Sequence, residues 1–352
     1  MIDNFLITTG GTGGHVIPAM VICDHLEKNN VTICTDRRGL KYLNKELYRT
    51  EIINTPKLNN RFLLPINFFR ILYLIFKSFF LLKNKKIKKI FCTGGYMSLP
   101  LILAGKFLNL RLYLLEPNIV LGRANKFFLN SCKKIFCYTE KIKNFPENLK
   151  NKIFLIKPLV RKEFYHEIID NKNKKWTLLV VGGSQGASFF DNNLNDIIVN
   201  LAKKFPIKII HQTHKENISK LTNFYSKENI ENLVFCYEKD FVNIIEKSDI
   251  CITRAGATTL AELSILNKPF IAVPLPSSKD NHQYENANFY YNKNCCWILH
   301  QNLFKSKLEL TLRGIFENKT EFLEKKENLK KLNYQNTWIN VNQKILRSIN
   351  EN

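Results

Sequence analysis

Along the whole chain, short apolar runs alternate with longer segments of mixed polarity. Phe5–Thr9, Val31–Thr35, Glu51–Asn54, Ile87–Thr93, Leu110–Leu115, Lys134–Tyr138 and Ile153–Ile156 read as the strands of a first half. Thr177–Val181, Ile207–Gln212, Leu233–Tyr237, Asp249–Thr253 and Pro269–Val273 repeat the pattern in a second. Near-continuous apolar strands separated by helical stretches indicate parallel sheets covered on both faces. The expectation is an α/β chain of two doubly wound, Rossmann-like domains, residues 1–160 and 161–352, with a ligand cleft between them. Pro158 marks the boundary, and the charged Arg161–Lys175 segment reads as a linker. The charged helices from about Lys305 onward belong on the outside, the last being a candidate to pack back on the first domain.

In each half a strand runs directly into a glycine-rich turn: Gly10-Gly11-Thr12-Gly13-Gly14-His15 and Gly94-Gly95-Tyr96 in the first, Gly182-Gly183-Ser184-Gln185-Gly186-Ala187 in the second. Glycines let backbone N–H groups approach an anion, and the helix that follows adds partial positive charge at its N-terminus. The spacing is not GxGxxG, which disfavours a dinucleotide site. A tight turn needs fewer than the four glycines and one histidine found in 10–15. The stretch 249–287 gathers Arg254, Thr258, Glu262, Asp280, His282, Gln283 and Asn286 at strand ends or on the helices that follow. Ligands bind there in open α/β sheets.

The segment 61–89 stands apart. A helix beginning near Pro65 is Phe-, Leu- and Ile-rich, with Asn67, Arg70, Lys77 and Ser78 expected roughly along one side. A basic run, Lys83 to Lys89, follows it. Arg70 and Lys77 argue against a span. An interfacial helix with Phe68, Phe69, Leu72, Ile75, Phe76 and Phe79 in the membrane surface fits better. A domain helix buried against the sheet is the alternative.

Composition changes this picture little. Apolar residues make up 45% and charged residues 24% of 352, as in a soluble globular protein. The net charge of +23 calls for an anionic partner or reflects generic surface lysine. No RNP-like or helix-turn-helix pattern supports nucleic acid. Nine cysteines without a CxxC pair read as free thiols in a reducing compartment, without ligand spacing for zinc. The N-terminus has no signal-peptide form.

Together, GGTGGHVIPA (10–19), GGYMSLP (94–100), GGSQGA (182–187) and RAGATTLAEL with DNHQYENA (254–287) resemble the MurG family of GT-B glycosyltransferases. The resemblance covers nearly the whole chain. It implies an inverting transfer of N-acetylglucosamine from UDP-GlcNAc to the C4 hydroxyl of MurNAc in undecaprenyl-pyrophosphoryl-MurNAc-pentapeptide (lipid I). It also implies a peripheral enzyme on an anionic phospholipid surface, at the cytoplasmic face of the bacterial inner membrane. No cofactor and no metal are expected, since the cleft segments carry no DxD-type motif. Another UDP-sugar transferase or an epimerase on the same fold is the alternative reading.

By the same resemblance, Ser184, Gln185 and the Gly182–Gly186 amides hold the donor diphosphate, and Arg161 contacts phosphate. Val242 meets uracil through its backbone. Glu262 takes the ribose hydroxyls, and His282 and Gln283 the sugar, with Arg254 in the same cluster. Thr12, Gly13 and Gly14 face the acceptor's pyrophosphate. His15 is the candidate general base, as the side chain suited to proton transfer near neutrality. The family's His-Glu-Gln-Asn segment is here Leu115-Glu116-Pro117-Asn118, which leaves Glu116 as a second catalytic candidate and Asn118 as a binding one.

Overall fold

The structure, a computed structural model, describes residues 4–26, 28–56, 64–166, 175–238 and 240–351, the side chains at 64 and 184–186 excepted. It divides into two units, Met1–Lys162 with Thr337–Asn352, and Glu163–Asn336. Most of the expected linker, 167–174, lies outside the described residues, as does the start of the apolar segment, 61–63.

The first unit runs β1 (Asn4–Thr8), α1 (Gly13–His25), β2 (Val31–Thr35), β3 (Thr50–Ile52), α2 (Leu64–Asn84), β4 (Ile87–Cys92), α3 (Leu99–Phe107), β5 (Arg111–Glu116), α4 (Arg123–Phe128), β6 (Lys134–Cys137) and β7 (Ile153–Leu155). Its strands form one parallel sheet in the order β3-β2-β1-β4-β5-β6-β7. Successive residues face opposite ways along a strand. Phe5, Ile7, Phe91, Tyr113 and Leu115 therefore enter one core, and Leu6, Ile90, Cys92, Leu112 and Leu114 the other. Helix α1 covers the first face; α2 and α3 cover the second.

The second unit runs β8 (Trp176–Val181), α5 (Gly183–Asn193), α6 (Asn195–Ala202), β9 (Ile207–Gln212), α7 (Ile218–Lys227), β10 (Glu231–Phe235), α8 (Phe241–Glu246), β11 (Ile250–Thr253), α9 (Ala257–Ile265), β12 (Phe270–Ala272), α10 (His282–Tyr291), β13 (Cys296–Ile298), α11 (Phe304–Glu317) and α12 (Thr320–Leu332). Its parallel sheet has the order β10-β9-β8-β11-β12-β13. Strand order reverses direction at β1/β4 in one sheet and at β8/β11 in the other, and both strand pairs deliver glycine-containing loops there.

Among the described residues, four helices stop on an asparagine at positive φ: Asn109, Asn229, Asn267 and Asn294. In each case the next N–H reaches back five residues, as from Leu110 to the Gly105 carbonyl at 2.9 Å and from Ile230 to that of Tyr225 at 2.9 Å. Asparagine thus does what glycine usually does in this cap.

On α2 the expected polar side is split. Asn67 and Ser78 are buried, and Ile75 and Phe79 pack against the core with Leu74 and Leu82. The exposed side carries Ile66, Phe68, Phe69, Leu72, Tyr73, Phe76 and Phe80 beside the exposed Arg70 and Lys77. Pro65–Asn84 is long and apolar enough to cross a membrane, with a mean hydropathy of 1.5, but one whole side of it is docked on the unit.

The last helix, α13 (Trp338–Asn350), joins the first unit's core through Val341, Ile345 and Ile349. Trp338 stacks on His25 at 3.7 Å between ring centroids. Asn342 Nδ2 donates to the His25 carbonyl at 3.0 Å and lies 3.1 Å from His25 Nδ1, which accepts as long as the ring is neutral. Burial pushes the His25 pKa from its ordinary 6.5 down to about 4. A folded chain therefore takes up this proton only near pH 4, whereas an unfolded one does so near 6.5. Stability supplied by neutral His25 is lost as pH falls across that window, by about 3 kcal/mol when complete. Hydrogen exchange should show α13 losing protection, after correction for intrinsic rates, between pH 7 and pH 5. The loss should be smaller in His25→Gln.

Candidate functional site

In the first unit, polar groups converge where the loops after β1 and β4 leave neighbouring strands. Thr93 N donates to the Thr8 carbonyl at 3.1 Å, so the two chains stay paired past the sheet. The loops then approach so closely that a Cβ on Gly95 would fall on the Gly10 backbone, 2.8 Å from its Cα. His15 occupies the remaining slot. A Cβ on Gly10 or Gly94 would lie 2.9 Å from its ring, and Gly94 and Gly95 take φ of 99° and 92°. His15 Nδ1 is 2.8 Å from the Thr93 carbonyl, and Thr93 Oγ1 donates to the His15 carbonyl at 2.9 Å. A carbonyl only accepts, so the proton sits on Nδ1 and the lone pair on Nε2. Thr12, which caps α1, and Gly14, in its first turn, are exposed, and Gly13 opens the helix beside Tyr42.

Glu116 ends β5 and is 2% exposed. Its Oε1 accepts from Asn118 N (3.2 Å) and Nδ2 (3.1 Å); its Oε2 accepts from Gly122 N (2.7 Å) and Asn125 Nδ2 (2.9 Å). Burial, the largest influence, holds its carboxyl above the usual range, and these bonds oppose it. Glu116 is the second catalytic candidate, and the structure ties it into its own loop. Both oxygens are occupied, and the group organises the 116–125 loop, Asn118 included. Arg161 is half-buried near the end of this unit's main segment.

In the second unit, β8 leads into Gly182 and then Gly183 at φ 62°, where α5 begins. The backbone of Ser184, Gln185 and Gly186 forms the first turn, whose N–H groups have no intrahelical acceptor. Gln212, at the end of β9, accepts the Gly183 N–H at 3.1 Å through Oε1. A buried network lies behind it. His211 Nδ1 is 2.9 Å from the Tyr225 hydroxyl and its Nε2 3.2 Å from Asp191 Oδ1. Asp191 Oδ2 accepts from Thr213 Oγ1 and Asn217 Nδ2. Burial works to raise the Asp191 pKa, but the nearby His211 and the hydrogen bonds from Thr213 and Asn217 outweigh it and hold it below the ordinary value.

Glu262 is 4% exposed in α9. Val242 lies in the first turn of α8, where the Asp240 cap takes the Asn243 N–H at 3.2 Å. Gln283 Oε1 accepts from Ala255 N (3.2 Å) and Leu275 N (3.0 Å), so toward a ligand this amide acts chiefly as a donor. His282, half-buried at the start of α10, places Nδ1 2.8 Å from the Lys279 carbonyl, which puts its lone pair on Nε2. Arg254, expected to bind ligand, is engaged by the protein itself. It is 6% exposed, donates to the Val273 carbonyl (3.1 Å), the Pro274 carbonyl (3.4 Å) and Gln301 Oε1 (2.7 Å), and lies over Phe189. Burial lowers its pKa to about 10. It braces the ends of β11 and β12 beside a cavity of about 550 Å³ lined by Phe189, Leu275, Asn281, Tyr284 and Gln301.

Two groups escaped sequence reading. Gln212 ends an apolar strand, a polar terminus beside a glycine loop. Asp36 directly follows β2, and an acid at the end of a second parallel strand is a known ligand-site signal.

The Glycosyltransferase family 28 N-terminal domain matches residues 5–137, and the Glycosyltransferase family 28 C-terminal domain matches residues 177–337. A UDP-N-acetylglucosamine--N-acetylmuramyl-(pentapeptide) pyrophosphoryl-undecaprenol N-acetylglucosamine transferase of Pelagibacter ubique is 48% identical, over 100% of both chains. Its counterpart in Rickettsia felis is 34% identical over 84% of this chain and 86% of its own. The crystal structure of Acinetobacter baumannii MurG superposes with a TM-score of 0.77 at 22% identity, covering 98% of this chain and 99% of that one, which shows the shared GT-B fold. With both domains matched and a relative this similar from end to end, the chain belongs to glycosyltransferase family 28 and, within it, to the MurG family.

Proposed function

We propose that this chain transfers N-acetylglucosamine from UDP-GlcNAc to the C4 hydroxyl of MurNAc in undecaprenyl-pyrophosphoryl-MurNAc-pentapeptide, with inversion. The end-to-end similarity to the Pelagibacter ubique transferase carries this reading. An assay with UDP-GlcNAc and a lipid I analogue tests it. UDP binding without transfer would instead favour a different UDP-sugar enzyme.

The acceptor O4 attacks the anomeric carbon, the bond from that carbon to the UDP oxygen breaks, and the hydroxyl proton passes to His15 Nε2. The Thr93 carbonyl keeps the Nδ1 proton in place and stabilises the imidazolium that forms. Negative charge grows on the departing diphosphate. The N–H groups of Ser184, Gln185 and Gly186, aligned at the start of α5, meet it without reorganising. Gln212 keeps that turn in shape through Gly183. Val242 N–H faces the uracil, Glu262 accepts from the ribose hydroxyls, and His282 Nε2 and the Gln283 amide bind the sugar. Arg161 contacts phosphate. Thr12, Gly13, Gly14 and Asn118 take the acceptor's pyrophosphate side. Glu116 and Arg254 act as positioning residues, the first through Asn118 and the second through the β11 and β12 ends.

Helix α2 lays its exposed aromatic side on an anionic phospholipid surface at the cytoplasmic face of the inner membrane. Arg70 and Lys77 stand among those aromatics, as an interfacial helix requires.

Two outcomes are expected. His15→Ala should lower kcat by about 10²–10⁴-fold while the KM for UDP-GlcNAc stays nearly constant. Gly94→Ala should act in the same direction by displacing the ring, and an unchanged kcat in His15→Ala would place the base elsewhere. Replacing Phe69, Phe76 and Phe80 together by Ser should abolish co-sedimentation with anionic liposomes while transfer to a short-chain soluble acceptor continues. Undiminished liposome binding would remove α2 from the membrane contact.

A further inference from the structure

The loop after β2 has no role in the scheme above, yet it is built with care. Asp36 is 6% exposed. Its Oδ1 accepts from the backbone N–H groups of Arg38 and Gly39, each at 3.0 Å. Its Oδ2 accepts from Arg38 Nε at 2.9 Å and from Arg38 Nη2 at 2.5 Å. The guanidinium is thus gripped along its Nε–Nη2 edge. Despite this grip the Arg38 side chain is 51% exposed.

The clamp stands directly against the loop that carries His15. A Cβ on Gly11 would fall on the Asp36 carboxylate, so that glycine is required for the contact. Tyr96 of the second glycine turn also acts on the guanidinium. Asp36 first and Tyr96 second hold the Arg38 pKa above its ordinary value. Arg38 therefore sits where the loops after β1, β2 and β4 meet, at the carboxyl ends of adjacent parallel strands.

We propose that Arg38 binds the acceptor's pyrophosphate, with Asp36 as its positioning residue. This rests on the reading that the loops around His15 take that group. Backbone amides and a helix N-terminus offer only partial charges, and a pyrophosphate brings full ones. A guanidinium matches phosphate oxygens with a planar fork, and one already clamped loses little side-chain freedom on binding. Asp36 does not repel the ligand, because its charge is met by Arg38 and by two N–H groups.

The test compares two short-chain acceptors, one with the natural pyrophosphate and one with a neutral linker in its place. Arg38→Ala should raise the KM for the pyrophosphate acceptor about tenfold and leave the KM for UDP-GlcNAc unchanged. The neutral-linker acceptor should show no such penalty. Asp36→Asn should raise the same KM less, since the cation remains but is no longer held. Equal penalties on both acceptors, or an unmoved acceptor KM in Arg38→Ala, would overturn the assignment of Arg38. A wild-type chain that transfers to neither acceptor would instead overturn the reading on which it rests, and Arg38 with it.

Discussion

The first unit's candidate site depends on one steric fact: two main chains meet where no side chain fits. Strands β1 and β4 run parallel and adjacent, with Thr8 opposite Cys92, so their loops leave side by side. Glycine at 10, 94 and 95 lets them close to contact and still admit an imidazole. The partner of that imidazole is then a backbone carbonyl, Thr93, fixed by the sheet itself. The tautomer is set by strand pairing, which a point substitution at position 93 would not remove.

The second unit reaches a comparable end by other means. Where the first relies on missing side chains, this one uses side-chain amides to hold the main chain. Gln212 secures Gly183, Gln283 secures Ala255 and Leu275, and Asn286 Nδ2 donates to the Ala255 carbonyl at 3.2 Å. Behind Gln212 the Asp191–His211–Tyr225 network is buried, and such networks are rigid only when satisfied throughout. The second unit's glycine turn is therefore sensitive to changes well away from it.

Much of the fold is legible in the apolar runs, because strands buried on both faces need no polar alternation to be found. Val31–Thr35 and Ile207–Gln212 coincide with their strands, and the other expected strands shift by a residue or two. β13 was missed because Cys296–Ile298 is three residues long and follows the polar Asn292–Asn294. Helix ends were obscured because asparagine, common in this chain, replaces glycine in the caps. On α2, periodicity located a two-sided helix but misassigned its sides: Asn67 and Ser78 are small enough to bury, while Arg70 and Lys77 cannot. At the candidate site, glycine turns marked the loops that close on one another in the first unit and open α5 in the second. They did not reveal which polar residues are engaged by the protein itself, since Glu116 and Arg254 look available until their partners are placed.

Because α13 belongs to the first unit but is encoded after the second, that unit is not a continuous piece of chain. On the ribosome its sheet emerges early, yet the apolar face that receives Val341, Ile345 and Ile349 stays uncovered while residues 163–336 are made. At about 5–20 residues per second this exposure lasts roughly ten to thirty seconds. The nascent chain thus carries an open hydrophobic surface while the second unit is made, and premature termination anywhere in that unit would leave it open for good.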